Sequence, residues 1–284
     1  MERWLHLVRS FTDNLGRVVD RGAMIDEFCN DQRMRGLTDA TVRRRRWTLT
    51  KFCETYLLEA ATRADVEAFI SARATAASRR ALLGDLRAFY VFAIDHELLD
   101  NNPTAKVGKI KVPKRKAHPL TSAEVELAVT AARSASLRVI VMLGAYGGLR
   151  VSEIAALRWG DVDTERRLIE VRAGKGLKDR SVDLAVQLAD ALAVLRHRSD
   201  GFVIGTTGPN VSQRVRGHFA RLGIDHRPHD LRATFATQAI ARSGGNVPLV
   251  QGWLGHDDPR TTMGYVTSSR EGRTIIDSLY GDAA

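Results

Sequence analysis

Six side chains, taken in chain order, could carry one reaction. Arg150 lies in GLRVSE, Lys175 in GKGLKDR, His229 and Arg232 in HDLR, His256 in LGH, and Tyr265 nine residues beyond it in TTMGY. Attack on a phosphodiester spreads negative charge over the non-bridging oxygens, and fixed cations placed there lower the barrier. Arg150 and Arg232 suit that task, because a guanidinium stays charged and can hold two oxygens at once. A deoxyribose 5′-oxygen leaves poorly unless it is protonated. Lys175 can deliver that proton, with Lys178 its rival on the same turn, and a well-placed general acid is worth roughly 10²–10⁴-fold. His229 and His256 can hydrogen-bond the phosphate or help deprotonate a phenol. Tyr265 would be the nucleophile, forming an ester that conserves the bond energy, so rejoining needs neither ATP nor metal. Tyr280 is a rival that lacks the spacing from LGH. Each element alone is common, and a lone H-x-x-R is more often a helix-face pair than a site. The ordered set carries the argument.

The elements that must position this set read as mainly helical with a small antiparallel sheet. Thr121 and Glu124 form a T-x-x-E box that starts a helix, and residues 136–147 are apolar and helical. Residues 167–172 and 180–184 have strand character around Gly-Lys-Gly, which predicts a hairpin with Lys175 at or near its tip. Helices follow over 185–196, 210–222, 229–243 and 247–254, and a short one over 258–265 carries Tyr265. Trp159 and Trp253 read as core.

Upstream, residues 39–58, 64–74 and 77–97 show helical spacing of apolar side chains. The last stretch turns Leu82, Leu83, Leu86, Phe89, Tyr90 and Phe92 inward and offers Ser78, Arg79, Arg80 and Arg87 on its other face. Arg43, Arg44, Arg45 and Arg46 form a basic run at the start of the first. Such arginine-rich faces fit a DNA groove as well as they fit water. Residues 1–20 have the pattern of a further amphipathic helix, with Trp4, Leu5, Leu7, Val8 and Phe11. A basic stretch at 106–118 holds Lys106, Lys109, Lys111, Lys114, Arg115 and Lys116 and no acid. Gly108, Pro113 and Pro119 oppose helix there, so it reads as a linker, either solvated or laid along a phosphate backbone. Four segments result: an N-terminal extension at 1–20, a helical module at 21–105, the linker at 106–118, and a mixed module at 119–284.

Composition agrees with a polyanionic partner. The 284 residues hold 43 Lys plus Arg against 33 Asp plus Glu, a net charge of +10, a balance typical of nucleic-acid binders. An apolar fraction of 44 % supplies a sizeable core. Cys29 and Cys53 have no metal-ligand spacing and form no disulfide framework, which fits a reducing cytoplasm. His6, His96, His118, His197, His218 and His226 share no ligand spacing, so no metal or other cofactor is expected. GKG at 174–176 lacks the glycine spacing and the following Ser/Thr of a P-loop. Neither a signal peptide nor an apolar run of membrane-spanning length is evident.

The runs YGGLRVSEIAALRWGDVD, GKGLKDRSVDL, HDLRATFAT and LGHDDPRTTMGY resemble the tyrosine recombinases, the lambda integrase and Xer group. The resemblance covers nearly all of 121–265 through specific motifs and extends more loosely over about 22–105. It implies a helical core-binding domain at 21–105 and a catalytic domain with a C-terminal tail at 119–284. It makes Arg150, Lys175, His229, Arg232, His256 and Tyr265 the catalytic set, with a 3′-phosphotyrosine at Tyr265, and Glu153 a support for Arg150. Arg43, Arg44, Arg45, Ser78, Arg79, Arg80, Arg87, Lys109, Lys111, Lys114 and Arg115 are candidate DNA contacts.

The implied partners are double-stranded DNA at attachment or core sites, a homotetramer on DNA from a free monomer or weak oligomer, a host DNA-bending protein and a directionality factor. The implied place is the bacterial cytoplasm, on DNA. Many phage integrases add an arm-binding domain of about 60 residues; only about 20 residues precede the helical module here, so none is expected. The tail at Ile275, Ile276, Leu279 and Tyr280 could pack on its own domain or on a neighbouring protomer. Phage or prophage integration is the leading role. Xer-like or transposon-borne recombination, a relaxing topoisomerase of the same chemistry, and a DNA-binding protein without catalysis are its rivals.

Overall fold

The computed structural model describes residues 10–12, 18–113, 118–172, 179–195 and 201–255. The chain divides into two compact units, Met1–Lys114 and Arg115–Ala284.

Among its described residues the first unit holds four helices, α1 (Arg21–Met34), α2 (Asp39–Cys53), α3 (Arg63–Ser71) and α4 (Ala76–Asp95), after a two-stranded ribbon of β1 (Phe11–Thr12) and β2 (Val18–Val19). The ribbon corrects the expectation of a helix over 1–20. At the described ends of that stretch the β-branched Thr12, Val18 and Val19 favour extended backbone. Phe11 and Val19 pack on the helical core, and the Arg21 guanidinium lies 5.5 Å from the Phe11 ring centroid. Helix α1, which composition hides, buries Met24, Ile25, Phe28, Cys29 and Gln32 at helical spacing. Thr38, Thr62 and Thr75 cap the next three helices, each accepting the backbone N–H three residues on. The inward side of α4 is the expected one, and its Phe89 meets Phe28 edge-on at 5.5 Å. Val107 and Ile110, inside the basic stretch, pack on this same core. Both cysteines are buried, and desolvation pushes the Cys53 thiol up to about 12.

The second unit begins with α5 (Ser122–Thr130), closed by the Thr121–Glu124 capping box. Helix α6 (Ala135–Ala145) runs through its core, with Val139, Ile140, Val141 and Leu143 fully buried. Helix α7 (Val151–Ala156) and a single 3-10 turn at Trp159–Asp161 lead into the sheet. The sheet is antiparallel, in the order β3 (Val162–Asp163), β4 (Leu168–Val171), β5 (Arg180–Asp183). Ile169 pairs with Val182 and Val171 with Arg180, so one face turns Ile169, Val171 and Val182 into the core. Helices α8 (Val186–Leu195), α9 (Gly208–Leu222), α10 (Pro228–Arg242) and α11 (Val247–Leu254) follow. Strand β3, too short for a sequence pattern, and α7 join the elements that periodicity indicates. The expected helix over 258–265 lies outside the described residues.

Candidate active site

Arg150 is the residue just before α7, in extended conformation. Glu153, three residues on, accepts the Arg150 backbone N–H at 2.6 Å, which closes the first turn of the helix. The same carboxylate accepts from Arg150 Nη1 at 2.7 Å. Arg232 arrives from the first half of α10 and brings its Nη1 to 3.7 Å from Glu153 Oε2. A third guanidinium, Arg180 at the start of β5, donates to both Glu153 oxygens, at 2.9 and 2.8 Å. One carboxylate therefore gathers three arginines from three separate elements. Burial would push its carboxyl up; the Arg180 side-chain hydrogen bonds, the Arg150 backbone N–H, the Arg180 charge and the Arg150 side-chain hydrogen bond outweigh this and hold it at about 2.

Backbone carbonyls orient the same cations. Arg232, only 1 % exposed, donates to Gly148 O at 2.6 Å and to Leu254 O at 2.5 Å. Arg150 Nη2 reaches Gly255 O at 3.3 Å, and Arg180 Nε reaches Trp253 O at 2.7 Å. Both acceptor glycines have positive φ, +64° at Gly148 and +58° at Gly255. The site is thus held from α7, β5, α10 and the end of α11. Side-chain spacing cannot announce such carbonyl contacts, so Arg180, Gly148 and Gly255 escape a motif reading.

His229, one residue into α10, is exposed and lines an open groove of about 1020 Å³ together with Arg150, Ser152, Ser212, Gln213 and Arg216. The structure so brings together Arg150, Glu153, His229 and Arg232. Lys175, its rival Lys178, His256 and Tyr265 lie outside the described residues. A net excess of positive charge beside an open groove is suited to holding an anionic backbone.

The candidate DNA contacts of the first unit differ in how they are engaged. Arg44 donates to both oxygens of the buried Asp85, at 3.0 and 2.7 Å, and Arg45 lies 3.7 Å from it. Arg45 also meets Gln32, Arg79 donates to Arg73 O, and Arg87 donates to Val107 O. Ser78 shares the α4 cap with Thr75. Arg43, Arg80, Lys109 and Lys111 are exposed. Lys114 and Arg115 lie outside the described residues.

Among the described residues, His118, His226 and Asp230 form a group whose ligand atoms lie within 4.8 Å of one another. The two rings stack at 4.2 Å and 19°. Imidazole lone pairs lie in the ring plane, so rings in parallel planes do not aim at a common point. His226 instead hydrogen-bonds to His118 O through Nδ1 at 3.1 Å. It sits between two capping carboxylates, Glu124 of α5 at 3.6 Å and Asp230 of α10 at 3.7 Å. The group ties two helix N-termini together.

Residues 118–271 match the phage integrase family. The chain is 33 % identical over 218 residues to the tyrosine recombinase XerA of Thermococcus kodakarensis, covering 69 % of this chain and 75 % of that protein. It is 30 % identical over 258 residues to XerA of Pyrococcus horikoshii, covering 85 % and 88 %. In fold it is similar to a lambda integrase dimer bound to a core site, with a TM-score of 0.71 at 18 % identity over 86 % of this chain and 76 % of that one. A crystal structure of XerA recombinase matches with a TM-score of 0.52 at 24 % identity, over 91 % and 98 %. None of the described helices is long and apolar enough to cross a membrane. The family match spans more than half of this chain and includes Arg150, Glu153, His229 and Arg232, which the fold assembles; the protein belongs to the phage integrase family, the tyrosine recombinases, enzymes that cleave and rejoin DNA.

Proposed function

We propose that this protein is a site-specific recombinase that breaks and rejoins two DNA duplexes through Tyr265. The Tyr265 hydroxyl gives its proton to His229 or His256 as its oxygen attacks the scissile phosphorus, and the bond to the 5′-oxygen breaks. That oxygen takes a proton from Lys175, leaving a free 5′-hydroxyl and a 3′-phosphotyrosine. A 5′-hydroxyl from the partner duplex then attacks the ester and releases the phenol, so bond count is conserved at each step. Arg150 and Arg232 neutralise the charge that grows on the non-bridging oxygens, and His229 and His256 hydrogen-bond them. The observation that carries this reading is the junction of Arg150 and Arg232 on the Glu153 carboxylate beside the His229 groove.

In this reading residues 21–105 grip core-site DNA, residues 106–118 follow the backbone as a linker, and residues 119–284 perform catalysis. Four copies act on two duplexes by way of a Holliday junction. The Xer names of the similar proteins favour an Xer-like role, resolving or exchanging replicons, over integration of a phage genome. A host bending protein and a directionality factor belong to the second role.

A nicked suicide duplex carrying a candidate core site tests the proposal. The wild type should accumulate a covalent protein–DNA adduct, and paired sites should give four-way junctions. Tyr265→Phe should bind the duplex and form no adduct; an adduct at normal yield would place the nucleophile elsewhere. Adduct without any junction on paired sites would indicate a relaxing enzyme instead.

A further inference from the structure

Helix α9 supplies one wall of the groove beside Arg150 and His229. Its inner side is locked in place. Val211, Val215, His218 and Phe219 are buried there, and His218 Nε2 donates to Ala128 O at 2.7 Å. At its start a Cβ on Gly208 would lie 3.7 Å from Ser152 Cα, so the helix begins against the first turn of α7. The opposite side of α9 lines the groove with Ser212, Gln213, Arg216, Gly217 and Ala220. These positions recur at helical spacing and form one stripe. At 1.5 Å per residue it is about 12 Å long, or roughly four base-pair steps of 3.4 Å.

The polar groups of α9 divide by face. Of its three arginines, Arg214 donates to Ser136 Oγ at 3.0 Å and Arg221 donates to His218 Nδ1 at 2.6 Å. Both are engaged within the protein. Gln213 and Arg216 are exposed in the groove and make no side-chain hydrogen bond or ion pair among the described residues. Gly217 sits beside Arg216 inside the helix, where glycine is unfavourable, and nothing lies within 4 Å of the Cβ it lacks. Packing among the described residues does not call for a glycine there; an object approaching from the groove does. The major groove of DNA admits an α-helix. In it a guanidinium pairs with the two acceptors of guanine, and a carboxamide pairs with N6 and N7 of adenine. We propose that α9 lies in the major groove next to the scissile phosphate, where Arg216 reads a guanine and Gln213 an adenine one or two base pairs away. Gly217 gives the duplex room to approach. This rests on the reading of Arg150 and His229 as ligands of that phosphate.

The test selects duplexes from a randomised pool by binding to the full chain carrying Tyr265→Phe, and sequences them. The wild type then marks its cleavage position on the selected duplexes as a covalent adduct. A guanine and an adenine should be enriched one or two pairs apart, within about one turn, roughly 10 base pairs, of the adduct. Added to Tyr265→Phe, Arg216→Ala should lose about 10-fold or more of the guanine preference and keep the adenine. Gln213→Ala should do the reverse. Arg216→Gln should turn the preferred guanine into adenine, a change that loss of a merely structural contact would not produce. Gly217→Leu should melt no lower than its parent, since it removes a glycine from a helix, yet lose most of its affinity for the selected duplex. If Arg216→Ala weakens every sequence by one factor and leaves base preference intact, Arg216 touches only phosphate and the readout is overturned. Undiminished binding by Gly217→Leu would take α9 off the duplex. Base preferences that shift as expected, on duplexes where the wild type forms no adduct or forms it more than a turn away, would instead sink the reading of Arg150 and His229.

Discussion

Gly148 lends its carbonyl to Arg232, whose Nη1 donates to it at 2.6 Å from a position 84 residues later. The glycine adopts φ +64°, and a Cβ there would stand 2.5 Å from Phe235 Cδ1. Phe235 lies one turn along α10 from Arg232, so any adjustment of that ring moves the helix carrying the guanidinium. Gly148→Ala should cost about 1–3 kcal/mol from backbone strain and cut the rate of adduct formation more than it weakens DNA binding. Urea melts and single-turnover cleavage would check this; a variant with unchanged stability and rate would show that neither the turn nor the carbonyl matters.

Glu153 links stability to acid. Its folded carboxyl is held at about 2 against an ordinary 4.5. A carboxylate depressed on folding contributes stability that is fully present above the ordinary value and lost as pH falls from there through about 2. The difference corresponds to on the order of 3 kcal/mol. Melting temperature measured from pH 6 to pH 2 should therefore fall more steeply for the wild type than for Glu153→Gln. Parallel curves would mean that the three-arginine cluster does not hold the charge in solution.

The basic run at the start of α2 should separate by partner. Arg44 already serves Asp85, which is 1 % exposed and also accepts from Thr48 at 3.0 Å. Arg43 and Arg80 are exposed. Replacing Arg43 or Arg80 with alanine should lower the log–log salt slope of DNA binding by about 0.9 for each phosphate left unneutralised. Asp85→Ala should instead destabilise the first unit by about 3 kcal/mol, because it strands two arginines beside a buried gap. Identical salt slopes for all these variants would remove α2 and α4 from the DNA-facing surface.

Lys175 and Lys178 can be told apart by the leaving group. A 5′-bridging phosphorothiolate departs without a proton, so it should restore cleavage to the variant that lacks the general acid. Rescue of Lys175→Ala by about 10²-fold or more, with little change for Lys178→Ala, is the expected pattern. The reverse would move the acid three residues along the turn.

How much of the molecule is legible in its sequence depends on what kind of interaction each part uses. Leu82, Leu86 and Phe89 announce α4 because an apolar stripe repeats with the helical period, and Thr121 with Glu124 announces α5 through a short-range cap. Val18 and Val19 do not announce a strand, because two residues show no period and the ribbon is decided by their pairing with Thr12 and Phe11. Helix α1 hides because its buried face includes Arg21 and Gln32, so composition dilutes the pattern. At the site, Arg150, His229 and Arg232 stand in recognisable runs. Arg180 does not, since its partners are a carboxylate 27 residues earlier and a carbonyl 73 residues later. Nor does the sequence distinguish Arg44 from Arg43, as only the fold reveals that Asp85 lies beneath it.

The hold of Gly255 on Arg150 gives the protein a schedule. Translation reaches position 150 long before it reaches 255, and until then the arginine lacks the oxygen that turns it. Leu254, the acceptor for Arg232, arrives only one residue sooner. A ribosome-tethered or truncated polypeptide that ends before them therefore cannot yet assemble these hydrogen bonds, and the two arginines are oriented only late in synthesis.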